Sequence, residues 1–144
     1  NTSLANSAGT NTKAFLFTSK DFTFGDVSVR KKLYKVYVTY KTTSGSNSKV
    51  LVVGAVNSGG DFSTPEISFN ASTSYFTGTT DACYHDSNGL LNTGGSWKIA
   101  ELKFTTSSLV NNIYSFQLNF NSQTIDPGFE INDISIIYRV KNIK

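Results

Sequence analysis

Residues 33–41, LYKVYVTYK, alternate without a break: Tyr34, Val36, Val38 and Tyr40 fall on one side, Leu33, Lys35, Tyr37 and Thr39 on the other. Successive side chains of an extended backbone point to opposite faces, so a period of two built from β-branched and aromatic residues predicts a strand with one buried face. A helix would scatter the same residues around its axis. The chain is thereby restricted to folds with a covered sheet, and the stripe from Tyr34 to Tyr40 is expected in the core.

The same signal recurs. In 113–120, IYSFQLNF, residues Tyr114, Phe116, Leu118 and Phe120 share a face, and in 129–140, FEINDISIIYRV, so do Ile134, Ile136, Tyr138 and Val140. Shorter strands are predicted at 14–18, 49–56, 66–70, 74–77 and 96–104. No segment repeats apolar residues at three and four. Hydrophobic residues make up 38% and charged residues only 16%, the rest being largely Ser, Thr, Asn and Gly, a mix that suits strands and turns rather than helices. About seven or eight strands at turn-separated intervals predict an all-β, antiparallel β-sandwich of jelly-roll type. The 144 residues suffice for one such domain, here 14–144, behind a small polar segment, 1–13, that reads as a flexible arm or linker. Strands 33–41 and 49–56, joined by TTSGSNS, are expected to form a hairpin with a long tip. The irregular stretch 57–95 is expected to form a variable outer surface.

Chemistry is scarce. The chain has one Cys and one His, Cys83 and His85, which would point the same way in an extended segment but lack a visible group to orient the imidazole. Two such ligands fall short of a zinc site. Glu101 and Glu130 lie on predicted strands, where a solvent-facing role is the ordinary one for a carboxylate. Glu130, Asn132 and Asp133 are oxygen donors that could contribute to a calcium site, although one strand cannot supply a full shell. Gly59-Gly60 and Gly94-Gly95 precede no helix, so phosphate loops are missing. Neither an enzyme nor a cofactor is expected.

A net charge of +3 is weak for a nucleic-acid binder. The local excesses, Arg30, Lys31 and Lys32 and the late Arg139 and Lys141, suit solvated strand ends that discourage edge pairing, or charge complementarity at a subunit contact. Tyr75, Tyr84 and Trp97 are candidate glycan contacts, as aromatic platforms among polar residues, and the same residue types equally suit a core or a protein interface. No run of about 18 apolar residues or leader pattern is present, and no membrane partner is expected. The chain begins at Asn1 and contains no methionine, which reads as a processed chain or a piece of a longer one.

Two blocks go beyond composition. KDFTFGD at 20–26, followed by RKKLYKVYVTYK at 30–41, resembles a block of bacteriophage tail structural proteins, mainly the nozzle or tubular proteins of short-tailed phages. FEINDISIIYR at 129–139 is similar to the ending of the same proteins. Together the blocks cover about a quarter of the chain. The resemblance implies a virion component, in the tail or head-tail region, whose partners are copies of itself and other virion proteins, with Arg30, Lys31, Lys32, Arg139 and Lys141 at contacts. A capsid decoration protein is a related expectation. The last block also resembles, more weakly, the closing strand of jelly-roll carbohydrate-binding modules, which implies an adhesin that meets a host surface glycan. There Asn132 replaces the first Asp of an Asp-Asp-Val/Ile-Ser motif.

Overall fold

The computed structural model describes residues 13–43, 48–59, 67–69, 91–104, 108–125 and 128–142. Seven strands run in chain order as β1 (Lys13–Thr18), β2 (Lys31–Lys41), β3 (Lys49–Val56), β4 (Ile67–Ser68), β5 (Lys98–Lys103), β6 (Phe116–Ile125) and β7 (Glu130–Val140). Six have six residues or more and β4 has two, so full strands among the described residues are fewer than the sequence predicts. The strand expected at 74–77 lies outside the described residues, as do Tyr75, Cys83, Tyr84 and His85.

The strands form two antiparallel sheets, a four-stranded one in the order β1-β6-β3-β4 and a three-stranded one in the order β5-β2-β7. Neighbours within a sheet are mostly distant in sequence, the interlaced connectivity of a sandwich rather than of a meander. Val36, Val38, Tyr40, Ala100 and Leu102 from one sheet meet Val50, Val52, Phe116, Leu118 and Phe120 from the other in one buried cluster. This is a β-sandwich, with inner faces interdigitating across the core.

The expected hairpin of 33–41 with 49–56 does not form. Both strands are central, β2 between β5 and β7, β3 between β6 and β4. Each therefore spends both backbone edges on other partners, and their apolar stripes face each other across the core. β6 also runs five residues beyond the predicted end. Its second half, NSQTI, is held by ladders to β1 (Lys13↔Ile125) and β3 (Lys49↔Thr124), which polar composition conceals.

The alternation of β2 itself is broken. Lys31 and Leu33 are buried, Tyr34 is 41% exposed, and burial resumes at Val36, Val38 and Tyr40. Opposite β7 the register slips at this point, from Leu33↔Tyr138 to Lys35↔Ile137, so that Tyr34 is the extra residue of a β-bulge. One inserted residue moves the inward set from odd to even positions. Tyr34 thus leaves the core stripe in which the sequence places it, and Lys32 Nζ lies 5.2 Å from its ring centroid. A second slip, between Thr39↔Asp133 and Tyr40↔Ile131, makes Asn132 the extra residue on β7. Phe129, Ile131, Ile134 and Ile136 all pack against the core as a result.

Gly54 lies opposite Leu118 and Ile67 in the middle of its sheet. A Cβ there would come within 2.8 Å of Cε2 of the buried Phe116 ring, which stands edge-on to Phe104. Glycine in a strand interior marks such a close approach. Gly54→Ala is expected to cost about 1–3 kcal/mol by overpacking, seen as a lowered urea midpoint with an unchanged slope.

Candidate functional site

The outer face of the three-stranded sheet carries most of the charged side chains described. It is organised in rows, because residues directly opposite in an antiparallel ladder share a face. Lys103, Lys35 and Ile137 form one row, Glu101, Tyr37 and Ser135 the next, and Ile99, Thr39 and Asp133 the third. At the far end Lys41 bridges Glu130, at 3.0 Å, and the ring of Trp97, with Nζ 4.7 Å from the centroid. Trp97 is 47% exposed and lies just before β5, so it belongs to the surface, as a glycan or protein contact requires.

Glu101 sits between two cations, with Lys35 Nζ at 3.2 Å and Lys103 Nζ at 3.5 Å from Oε1. Partial burial works to raise its pKa, but hydrogen bonding to Lys35 and the charges of Lys35 and Lys103 outweigh it and hold the carboxyl below its usual value. The Lys35 ammonium is pushed up by the hydrogen bond and charge of Glu101. The folded state therefore binds the Glu101 proton less tightly than the unfolded chain does. The resulting stabilisation is present above about pH 4.3 and is lost as pH falls through the lowered folded value. The Lys35 contribution has the opposite sign, present below its ordinary pKa and lost as pH rises through the raised one. Glu101→Gln is expected to lower the melting temperature at pH 7 and to make little difference at pH 3, which thermal melts at the two pH values would check.

At the other end of the sheet charge is one-sided. Lys32 stands opposite Arg139 on the same face, and Lys141 N donates to Arg30 O at 2.8 Å. Among the described residues no carboxylate pairs with Lys32, Arg139 or Lys141. Arg30 Nε donates to Tyr114 Oη at 3.0 Å, and its guanidinium carbon lies 5.4 Å from that ring's centroid. Four of the five basic residues singled out by the sequence thus gather at one end of the β2–β7 pair, reaching solvent there.

Lys31 is the exception. It is fully buried, so it is withdrawn from the exposed contact set in which the sequence places it. Its Nζ donates to the carbonyls of Asp26 and, at 3.0 Å, Tyr114. Its backbone pairs with Ile113 in both directions, at 2.7 and 3.0 Å. The turn that supplies Asp26 is built locally. Phe24 and Gly25 take positive φ, 57° and 92°, and the Asp26 carboxylate accepts from Ser28 N at 2.8 Å and Ser28 Oγ at 2.6 Å. Those bonds, with the nearby Lys31 charge, hold the Asp26 carboxyl below its ordinary pKa. Nothing in an Arg-Lys-Lys run distinguishes the inward lysine. The phase slip at Tyr34 is what turns it in. Lys31→Ala is expected to destabilise by about 3 kcal/mol, from the cavity and two carbonyls left without a donor. Lys31→Met, which keeps the stem, is expected to lose about 1–2 kcal/mol. Urea denaturation of both variants checks the order.

The calcium candidates have other partners. Glu130 pairs with Lys41, Asp133 Oδ2 accepts from Ser135 Oγ at 2.8 Å, and Asn132 occupies the bulge. Among the described residues no three His, Cys, Asp or Glu side chains gather as a metal site. Among the described residues no helix is long and apolar enough to cross a membrane. No protein-family model, curated protein or solved structure matches the chain.

Proposed function

We propose that this chain is a non-enzymatic structural component of a bacteriophage virion, in the tail or head-tail region, acting through packing of subunits. The observation that carries the reading is the relation of the two blocks that resemble phage tail proteins. Residues 31–41 of the first block form β2 and the second block falls in and beside β7, and these strands, far apart in sequence, pair from Lys31↔Val140 to Lys41↔Glu130. The resemblance thus falls largely on one pair of neighbouring strands rather than on two unrelated ones. The basic end of that ladder, with Arg30, Lys32, Arg139 and Lys141, is the charged surface offered to a neighbour, and charge at such a rim acts on register and partner choice more than on raw affinity. A decoration protein on the capsid would use the same packing at a different place in the particle.

Virions purified on a density gradient are expected to contain this chain at a fixed copy number per particle, by quantitative mass spectrometry of their proteins. Virion fractions without it, together with a purified chain that stays monomeric, would overturn the reading.

The exposed Trp97 favours a second reading, an adhesin or carbohydrate-binding domain. An exposed ring at a sheet surface suits stacking on a sugar, although Lys41 already lies over it. On a glycan array an adhesin binds saturably and loses at least about tenfold in affinity on Trp97→Ala, equivalent to about 1.4 kcal/mol. Variants at Tyr75 and Tyr84 extend the same test. A scaffold shows no saturable binding to lose.

A further inference from the structure

β7 is an edge strand of the three-stranded sheet, with β2 on its inner side. Among the described residues β7 has a strand partner on one side only, β2. Lys141 N donates to Arg30 O, while Lys31 and Leu33 direct their N–H groups the other way, to Ile113 O and Val110 O. Backbone groups alternate in direction along an antiparallel strand, so residues 133, 135, 137, 139 and 141 address β2. Those of Ile134, Ile136, Tyr138 and Val140 point out of the sheet. The bulge at Asn132 lies before this stretch, and the bulge at Tyr34 is on the other strand, so β7 keeps its own alternation from 133 to 140.

Edges left open in this way are usually guarded by charge, proline or a bulge. Here the guards stand only at the ends. The centre, Ile134 to Tyr138, carries no charge, proline or glycine, and Ile137 and Tyr138 are 45% and 41% exposed. The ends differ in sign, acidic at Glu130 and Asp133, basic at Arg139 and Lys141. An antiparallel copy brings unlike ends together, whereas a parallel copy would bring like ends together.

We infer that two copies associate through β7 about a two-fold axis at Ile136, joining their three-stranded sheets into one six-stranded sheet. In this register Ile134 faces the partner's Tyr138 and Ser135 the partner's Ile137. Asp133 faces the partner's Arg139 twice per dimer, on the outer face, where Asp133 otherwise accepts only from Ser135 and Arg139 has no carboxylate among the described residues. The contact is isologous, as a two-fold requires. It does not depend on the virion reading, since an edge pair would serve any assembly.

Sedimentation equilibrium of the full chain is expected to show a concentration-dependent dimer. Asp133→Arg or Arg139→Asp alone sets like charges opposite each other twice and is expected to raise the dissociation constant about tenfold. The double variant restores the unlike pairs and the affinity. Both positions are exposed, and unchanged circular dichroism melts would show that the fold is kept. For register, Ser135→Cys and Ile137→Cys are made separately in a Cys83→Ser chain. A directly opposed pair without backbone bonds has Cα atoms about 4.5 Å apart, within reach of a disulfide. Oxidation of the mixture is expected to give the mixed cross-link, and oxidation of either variant alone much less. A monomer at every concentration, a dimer indifferent to the charge reversals, or cross-linking of Ser135→Cys to itself as fast as in the mixture would each overturn the proposal. A monomer found at fixed copy number in virions would remove the edge pair and leave the virion reading intact.

Discussion

The slip at Tyr34 is the constraint on which the three-stranded sheet depends. A strand eleven residues long between two neighbours would, with unbroken alternation, turn either Leu33 or Val36 to solvent. One extra residue lets both ends face inward. The cost is an aromatic ring on the surface and a lysine in the interior. The lysine is tolerated because two backbone carbonyls, one from the Asp26 turn and one from Tyr114, stand where its ammonium arrives. A buried charge without such donors and acceptors would be far more expensive. In return Lys31 ties the 20–30 segment, β2 and the residues leading into β6 into one corner of the sandwich. Phe24 joins the same corner from the side, its ring centroid 4.3 Å from that of Tyr138.

That corner also explains how charge is arranged outside. With Lys31 turned in, Lys32 must point out, and its directly opposed residue is Arg139. Two cations facing each other across a ladder repel, and among the described residues no carboxylate relieves them. Natural sequences accept such a feature at an edge for solubility or for a partner. The opposite end of the same two strands shows the contrast: Lys41 meets both Glu130 and Trp97, and Glu101 is held between Lys35 and Lys103. Among the described residues the carboxylates of Glu101 and Glu130 on this face meet lysines, whereas Asp133 meets only the Ser135 hydroxyl and Lys32, Arg139 and Lys141 meet no carboxylate. Folding has thus gathered into one patch basic residues whose types alone suggest only a solvated edge.

Much of the fold was legible because burial and local geometry coincide in a strand. The stripes Val36, Val38, Tyr40 and Phe116, Leu118, Phe120 are core, as a period of two implies. The turn at Gly25 and Asp26 is local in the same sense, with positive φ at Gly25 and a carboxylate two residues before Ser28. Tyr34 was misjudged because a bulge is a property of two strands in register. The hairpin was misjudged because a loop sequence says that the chain turns, not which sheet it enters. The basic residues Arg30, Lys32, Arg139 and Lys141 could be named from the sequence, but their gathering at one end depended on the β2–β7 register. Trp97 could have been core or surface until the position of β5 put it on the outer face.

The sequence by itself determined an antiparallel sandwich, the apolar stripes from Val36 to Tyr40 and from Phe116 to Phe120, and a chain poor in catalytic groups. These follow from the side-chain period of an extended backbone and from the chemical inventory, both present before any long-range contact forms. Only the tertiary structure decided which strands are neighbours, which lysine is inside, and which edge has no strand partner among the described residues. Those outcomes depend on backbone hydrogen bonds between residues about a hundred positions apart, as from Lys141 N to Arg30 O, and a shift of one residue in that register reverses the face of every side chain beyond it.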